Sequence, residues 1–221
     1  MERLKDNIFV WENAMPVEWC DELITMFDHK IEMAEIAGGN KDKDRLGIRI
    51  RENQKRIDTS CCMQDFGSFH KKADELQNKL MSCVDEMRGE YPESGVPRAI
   101  HWEHLECKMQ RTPPGGGFSQ WHYEQGTDWH TSRRWGVWMI YLNTVEKGGK
   151  TDFPNQGLSV KPEAGKVVIW PAAYTHPHRS APDLDEWKYI VTGWFIYHAR
   201  EDYANNPKIR KKLIEVSFPE L

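Results

Sequence analysis

The second half of the chain constrains the fold most, because from about residue 99 short apolar runs alternate with turns. The runs are rich in β-branched and aromatic residues and lie at residues 105–111, 118–124, 137–142, 167–170 and 189–195. Glycine and proline separate them, as in PPGGG at residues 113–117. Short strands at regular intervals, with turn signals between them, favour a β-barrel or a β-sandwich.

The first part of the chain has a different pattern. Residues 8–11 (IFVW) predict a short strand, and a helix follows with Leu23, Ile24, Phe27, Ile31 and Ala34 at helical spacing. Gly38 and Gly39 are expected to end that helix. Charged residues 41–60 lack periodicity and predict a long loop. A second helix is expected at residues 65–88, with Phe69, Ala73, Leu76, Leu80 and Val84 on one face.

The length of 221 residues fits one domain with a substantial core. We therefore predict helical support and a loop over residues 1–98, a β core over 99–200 and a polar C-terminal helix over 201–221. The sequence gives no indication of the oligomeric state.

Composition excludes several classes of partner. The net charge of −4 gives no strongly basic surface for nucleic acid. No apolar run is long enough for a signal peptide or a membrane span, so neither is expected. The five cysteines are odd in number and irregularly spaced, which argues against a disulfide framework and predicts a reducing cytoplasm.

Three side chains predict a metal site. On a strand, His122 and Glu124 would point to the same face, because side chains two residues apart do so. A second histidine follows the run at 167–170, at His176 or at His178. Two histidines and one carboxylate are the ligands of non-haem iron(II) oxygenases. A zinc hydrolase could use the same residue types, and the histidines after the strand could instead cap turns.

A lysine favours the oxygenase. Lys188 begins an otherwise apolar run, and inside a barrel it would need an anionic partner, since an unpaired buried charge is costly. If Lys188 faces inward, then Ile190, Thr192 and Trp194 face inward too. Together they would form a pocket suited to a small dicarboxylate, which a hydrolytic zinc site has no general need for.

The sequence resembles the iron(II)/2-oxoglutarate-dependent dioxygenases, specifically their prolyl 4-hydroxylase-like branch. The matching pieces follow the family's order and are densest over residues 105–197. They are GGGFSQWHYE at residues 115–124, YLN at 141–143, GGKTDFP at 148–154, PEAGK at 162–166, and then His178, Lys188, Gly193 and Trp194.

The resemblance implies an α+β fold, in which supporting N-terminal helices pack on a double-stranded β-helix, a jelly-roll or cupin-like barrel. It implies Fe(II) held by His122, Glu124 and His178, with 2-oxoglutarate and O2 as co-substrates and ascorbate as a further candidate cofactor. His178 is preferred to His176 because it lies ten residues before Lys188, as in the family, rather than twelve. The family normally has aspartate at the position of Glu124, so the carboxylate is retained but its reach differs.

The resemblance also assigns the co-substrate site and the reaction. The far carboxylate of 2-oxoglutarate would pair with Lys188, and Tyr141 and Thr192 would donate hydrogen bonds to it. The expected enzyme is a hydroxylase that places one oxygen atom on a substrate C–H bond and releases succinate and CO2.

The substrate is expected to be a peptide, with a peptidyl proline as the hydroxylated residue. The charged residues 41–60 would help to cover it, and His176, Trp194, Trp121 and Arg56 are candidates for its pocket or for contacts behind the metal ligands. Two alternatives are a small-molecule hydroxylase of the same class and a β-helix that binds ligands without catalysis.

Overall fold

The structure is a computed structural model that describes residues 1–36, 47–62, 70–91, 107–181 and 183–197. Two long helices, α1 (Val17–Ile36) and α2 (His70–Gly89), lie in the first part of the chain. The strands are β1 (Glu2–Arg3), β2 (Phe9–Trp11), β3 (Ile48–Asn53), β4 (Arg56–Cys62), β5 (Lys108–Thr112), β6 (Gly117–Phe118), β7 (Arg134–Tyr141), β8 (Thr151–Phe153), β9 (Leu158–Val160), β10 (Val167–Pro171), β11 (Arg179–Ser180) and β12 (Lys188–Ile196).

The helices bury the apolar faces that their spacing predicts. In α1, the residues at positions 23, 27, 31 and 34 are buried, and in α2 so are those at 76, 80 and 84. The predicted start of α2 at residue 65, its Phe69, the side chain of Ala73, and the helix end at Gly38 and Gly39 lie outside what the structure describes. So does the predicted helix at 201–221. Neither described helix is long and apolar enough to cross a membrane.

The strands form two antiparallel sheets. The larger has the order β1-β2-β10-β7-β12-β5-β4-β3, with β6 beside β4, and the smaller has the order β11-β8-β9. Alternate side chains of β7 enter two hydrophobic clusters. Trp138 and Ile140 pack with the two helices, whereas Val137 and Tyr141 pack with Phe153 of the smaller sheet. The helices therefore cover one face of the larger sheet, and the other face is left for the smaller sheet and the site.

The loop predicted over residues 41–60 is wrong where the structure describes this segment. Residues 48–62 form a hairpin of β3 and β4 that joins the larger sheet through β5. The side chain of Asn53 closes the turn by accepting hydrogen bonds from the backbone N–H groups of Lys55 and Arg56. Residues 41–46 lie outside the described chain.

The hairpin was not predicted because part of its charge is paired within the sheet. Asp58 is buried and forms ion pairs with both Arg51 and Arg56. The described part of residues 1–98 therefore contributes four strands to the larger sheet, besides the two predicted helices. An apolar pattern alone would not identify such a strand.

Gly193 fixes the packing between β12 and β7. A Cβ atom at this position would lie 2.3 Å from the indole of Trp138, which is fully buried. The close approach of backbone and ring leaves no room for any side chain here.

Candidate metal centre

His122, Glu124 and His178 converge on one point. Their nearest ligand atoms all lie within 4.8 Å of one another. Oε1 of Glu124 lies 3.5 Å from Nε2 of His122 and 3.7 Å from Nε2 of His178. Two imidazole nitrogens and one carboxylate oxygen thus face a common centre, a donor set that suits a divalent transition metal.

The two histidines are held together by their backbones. The N–H of His122 donates to the carbonyl of His178, and the N–H of His178 donates back to the carbonyl of His122. This isolated bridge is the ordered part of a segment that the sequence predicted to be a strand over residues 118–124. The structure ends β6 at Phe118, and beyond it the bridge at His122 and the bond from the N–H of Glu124 to the carbonyl of Ala172 hold the segment.

Both imidazoles present Nε2 to the centre because their other nitrogen is already bonded. Nδ1 of His122 lies 2.8 Å from the carbonyl of Gln120, and Nδ1 of His178 lies 3.1 Å from the carbonyl of His176. A carbonyl can only accept, so each Nδ1 carries a proton, and in the neutral imidazole the lone pair is then on Nε2. That tautomer is the one a metal requires.

Aromatic rings hold the imidazole planes. Phe118 stacks on His122 with ring centroids 3.9 Å apart, and Trp170 meets His178 edge-on at 5.0 Å. These contacts restrict ring rotation on one side and shield the histidines from water.

Glu124 is held by an arginine. Nη1 of the buried Arg134 donates to Oε2 of Glu124 at 3.2 Å and to its backbone carbonyl at the same distance. Burial raises the pKa of Glu124, but hydrogen bonds with His122 and His178 outweigh it and hold the pKa well below its usual range. The carboxylate therefore keeps its charge, with one oxygen on Arg134 and the other toward the histidines.

His176 points away from this centre. Its Nε2 contacts the backbone carbonyl of Asp6, and its Nδ1 lies 2.9 Å from the hydroxyl of Thr175. It lines a separate polar pocket with Tyr174 and Arg3. The expectation that its side chain lies behind the metal ligands or in the substrate pocket therefore does not match the geometry, and only its backbone carbonyl supports His178.

The three converging residues line a cavity of about 330 Å³ that runs along β12. Lys188, Ile190, Thr192 and Trp194 alternate along that strand and all line the cavity, as the period of two predicts. Nζ of Lys188 donates to the carbonyl of Gly149 and to the hydroxyl of Ser180, each at 2.7 Å. Burial lowers the pKa of Lys188 to about 8. A fully buried cation with neutral partners can accept an anionic ligand.

The hydroxyls of Thr192 and Tyr141, predicted to donate to 2-oxoglutarate, already have partners within the protein. Thr192 lines the cavity, but its hydroxyl donates to the carbonyl of Trp138 at 2.8 Å. The hydroxyl of buried Tyr141 lies 2.7 Å from that of Thr151, and Thr151 is the one that lines the cavity. Tyr141 can therefore act on a ligand only through Thr151.

The remaining predicted pocket residues divide in two. Trp194 and Arg56 line the cavity. Trp121 lies outside it, where Arg179 stacks over its ring at 4.2 Å and where it lines a shallow surface groove with Asp152. Because the segment after β6 is irregular, the side chain of Trp121 points out of the cavity.

Sequence reasoning missed several residues of the cavity. They are Lys108, Gln110, Arg134, Met139, Thr151, Arg179 and Ser180. Thr151 lies inside the GGKTDFP motif and could have been chosen from it. The others have no local signal, because they reach the cavity from strands that only the fold brings together.

Comparisons with known proteins agree with this geometry. Residues 107–196 match the model of the 2OG-Fe(II) oxygenase superfamily. This range includes His122, Glu124, His178 and Lys188. Over 78 residues, the chain is 32% identical to the prolyl 4-hydroxylase subunit alpha-1 of Gallus gallus and 31% identical to that of Homo sapiens. Each match covers 32% of this chain and 15% of the relative, so the chain spans a small part of those proteins.

Solved structures show the same fold. The 2OG complex of the viral collagen prolyl hydroxylase from Paramecium bursaria Chlorella virus-1 has 18% identity and a TM-score of 0.61, covering 87% of this chain and 96% of the other. The Pseudomonas putida prolyl-4-hydroxylase has 19% identity and a TM-score of 0.58, covering 87% and 93%. The Trichoplax adhaerens prolyl hydroxylase with a hypoxia inducible factor peptide has 15% identity and a TM-score of 0.57, covering 94% and 87%.

The predicted α+β class and double-stranded β-helix are thereby confirmed. The superfamily uses Fe(II), 2-oxoglutarate and O2, in agreement with the cofactors expected from the sequence. Residues 107–196 therefore resemble the 2OG-Fe(II) oxygenase superfamily, and the chain is similar to its prolyl 4-hydroxylases.

Proposed function

We propose that the protein is an iron(II)- and 2-oxoglutarate-dependent dioxygenase that hydroxylates a C–H bond and releases succinate and CO2. One observation carries the proposal: His122, Glu124 and His178 converge in the same cavity that holds the buried cation of Lys188. A metal centre and an anion site in one cavity are what a reaction with a dicarboxylate co-substrate needs.

The residues fit the metal. Two imidazoles present Nε2, and one ionised carboxylate presents Oε1, to the common centre. Three protein ligands leave further coordination positions for co-substrate and oxygen. Bound there, iron(II) would supply the redox chemistry by which O2 oxidises 2-oxoglutarate and the substrate C–H bond.

The protein supplies position and charge. Lys188 would hold the far carboxylate of 2-oxoglutarate, with Ser180 and Thr151 offering hydroxyls beside it. Arg134 holds the carboxylate of Glu124 in place. Ile190 and Trp170 add apolar surface to the cavity, which limits access of water to the reacting groups.

The residues of the cavity also weigh against the other two classes. A zinc hydrolase has no general use for a buried cation beside its metal. A binding module that had lost catalysis would have no reason to keep all three converging ligands with the histidine tautomer that a metal requires.

For the substrate, we favour a peptidyl proline. The support is the resemblance to relatives named as prolyl 4-hydroxylases and to a prolyl hydroxylase solved with a peptide. The cavity also has aromatic walls, with Trp194 and Phe118, of the kind that bind proline-containing chains. A free small molecule is the second candidate, because several cations line the same cavity.

We also propose a cytoplasmic location without nucleic-acid or membrane partners. All five cysteines are free thiols, which suits a reducing compartment.

The direct test is conversion of 2-oxoglutarate to succinate by the purified protein with iron(II) under air. Succinate should form with iron and 2-oxoglutarate together and stop when a chelator removes the metal. The His178→Ala variant should lose the activity. Asn155→Ala, a change at the separate polar pocket, is the matched control and should keep it. Activity with zinc alone, or equal activity of the two variants, would contradict the proposal.

A further inference from the structure

A shallow groove of about 380 Å³ lies beside the cavity, on the other face of the smaller sheet. Three pieces of chain line it: Trp121, residues 152–154 and residues 157–159. Thr151 of β8 lines the cavity, whereas the next residue, Asp152, lines the groove. Successive side chains of a strand point to opposite faces, so β8 separates the two spaces. The proposed reaction leaves the groove without a role.

Arg179 forms the border between the groove and the cavity. It lines the cavity, its guanidinium lies over the ring of Trp121 at 4.2 Å, and its Nε donates to Oδ2 of Asp152 at 3.4 Å. Arg179 directly follows the converging residue His178 in the chain. Trp121 directly precedes the converging residue His122. A ligand chain that leaves the metal centre past Arg179 therefore comes onto the groove.

The polar groups of the groove are already paired within the protein. Oδ1 of Asp152 accepts a hydrogen bond from the hydroxyl of Ser159 at 2.6 Å, and Oδ2 accepts from Arg179. The carboxylate and the guanidinium offset each other's charge. What remains for a ligand is largely apolar: the ring of Trp121, which is 42% exposed, and the side chains of Pro154 and Leu158. The groove therefore suits a ligand that brings apolar surface rather than charge.

An extended chain that contains proline fits such a surface. In the polyproline II conformation, prolyl rings pack on aromatic side chains, and the backbone carbonyls stay free to accept from a donor such as an indole N–H. The chain advances roughly 3.1 Å per residue, so a few residues are enough to cross the groove. The groove is open at Gly157, where an added Cβ would meet nothing within 4 Å. A long chain can therefore continue beyond it.

We propose that this groove binds the chain that flanks the hydroxylated residue of a peptide substrate, as a proline-rich extended segment packed on Trp121. The inference rests on the proposed function and adds a second contact surface to it. The reacting residue enters the cavity, and its neighbours pass Arg179 and lie against Trp121, Pro154 and Leu158. The enzyme thereby favours long proline-rich substrates over short ones.

Peptides of two lengths test the inference. The short peptide has about three residues with blocked ends around one isotopically labelled proline, and the long peptides extend it by about six prolines on one side or the other. Glycine–serine extensions of the same length are the peptide control. Oxygen gained at the labelled proline, measured by mass spectrometry, gives kcat/KM. At least one proline-rich extension should raise it by roughly 10-fold, mainly through KM, as expected for burying one face of an indole, and the glycine–serine extensions should raise it little.

Variants assign the length preference to the groove. Trp121→Ala should bring the long-to-short ratio of kcat/KM close to one, and Trp121→Phe should keep part of the preference. Trp187→Ala is the matched control: Trp187 is 45% exposed and lies under Arg111 at 5.1 Å, but it lines neither the cavity nor the groove. Its ratio should equal that of the wild type. Loss of folded protein cancels in each ratio, since both peptides are measured on the same sample.

The outcomes are distinguishable. If no succinate forms from 2-oxoglutarate under any condition, the proposed function itself fails, and this inference falls with it. If succinate forms but no peptide gains oxygen, or long and short peptides react equally, only the role of the groove is refuted. A length preference that persists in Trp121→Ala refutes it as well. So does sedimentation that shows a wild-type dimer and a Trp121→Ala monomer, because a second copy of the chain would then occupy the groove.

Discussion

Replacing Arg134 by methionine should weaken iron(II) binding while the fold survives. The guanidinium donates to the outer oxygen of Glu124 at 3.2 Å and is buried, so no water is well placed to substitute for it. A hydrogen bond between charged groups contributes about 1.5–3 kcal/mol, which corresponds to roughly 10–150-fold in a dissociation constant. Loss of a group that orients a metal ligand has a similar effect, about 10–100-fold.

The assay is anaerobic titration with iron(II), alongside a thermal melt of the metal-free protein. Arg133→Met is the matched control, since Arg133 lies over the ring of Trp129 rather than on the metal centre. Its iron affinity should stay within about twofold of the wild type, the scatter expected for a site with no shared contact.

Making Arg134→Met in a protein that also carries Glu124→Asp tests whether Arg134 acts through Glu124. Glu124→Asp shortens the side chain by one methylene, so its carboxylate cannot both keep the arginine and reach the histidines. Arg134→Met should therefore weaken iron binding much less in the Glu124→Asp protein than in the wild type. An equal loss in both backgrounds, or wild-type affinity of the single variant, would refute the positioning role.

Three further predictions follow from the geometry. His178→Ala should lose iron binding by more than 100-fold, whereas His176→Ala should keep it within about tenfold, as measured by the same titration; the reverse order would exchange the two assignments. Because burial lowers the pKa of Lys188 to about 8, the affinity for 2-oxoglutarate should be constant below that pH and fall by up to tenfold per pH unit above it; a Lys188→Arg protein that still binds should show no such fall, since arginine stays protonated. Gly193→Ala should destabilise the fold by about 1–3 kcal/mol in denaturant titration, since its Cβ would overlap a buried indole, whereas Gly89→Ala, with nothing within 4 Å, should be neutral; equal effects would contradict the packing account.

The sequence was sufficient to identify site residues that lie close together in the chain or alternate along one strand. His122 and Glu124 are two residues apart, and Lys188 heads a strand whose alternation shows which side chains face inward. The alternation along the Lys188 strand follows from the fixed period of a strand. His122 and Glu124 converge although the chain around them is irregular, with an isolated backbone bridge at His122. No strand period distinguishes His176 from His178, because both follow β10 in irregular chain. The preference for His178 came from its distance to Lys188, and the structure places His178 with His122 and Glu124.

Other parts could not be derived from local pattern. Arg134 belongs to the site only because β7 lies beside the segment that carries Glu124. The β3–β4 hairpin was not evident because Asp58 is buried between two arginines, so a charged stretch is partly buried. In both cases the decisive contact joins residues whose partners a single sequence does not specify.

The reciprocal backbone bridge between His122 and His178 has a consequence for synthesis of the protein. A chain still emerging from the ribosome holds His122 and Glu124 long before the partner strand exists, and two donors alone bind a metal weakly. The bridge, the third ligand and Lys188 all arrive with the last part of the domain. Under the proposed function, metal uptake would thereby be tied to completion of the β-helix, and fragments that end before residue 178 should carry no redox-active iron at this position.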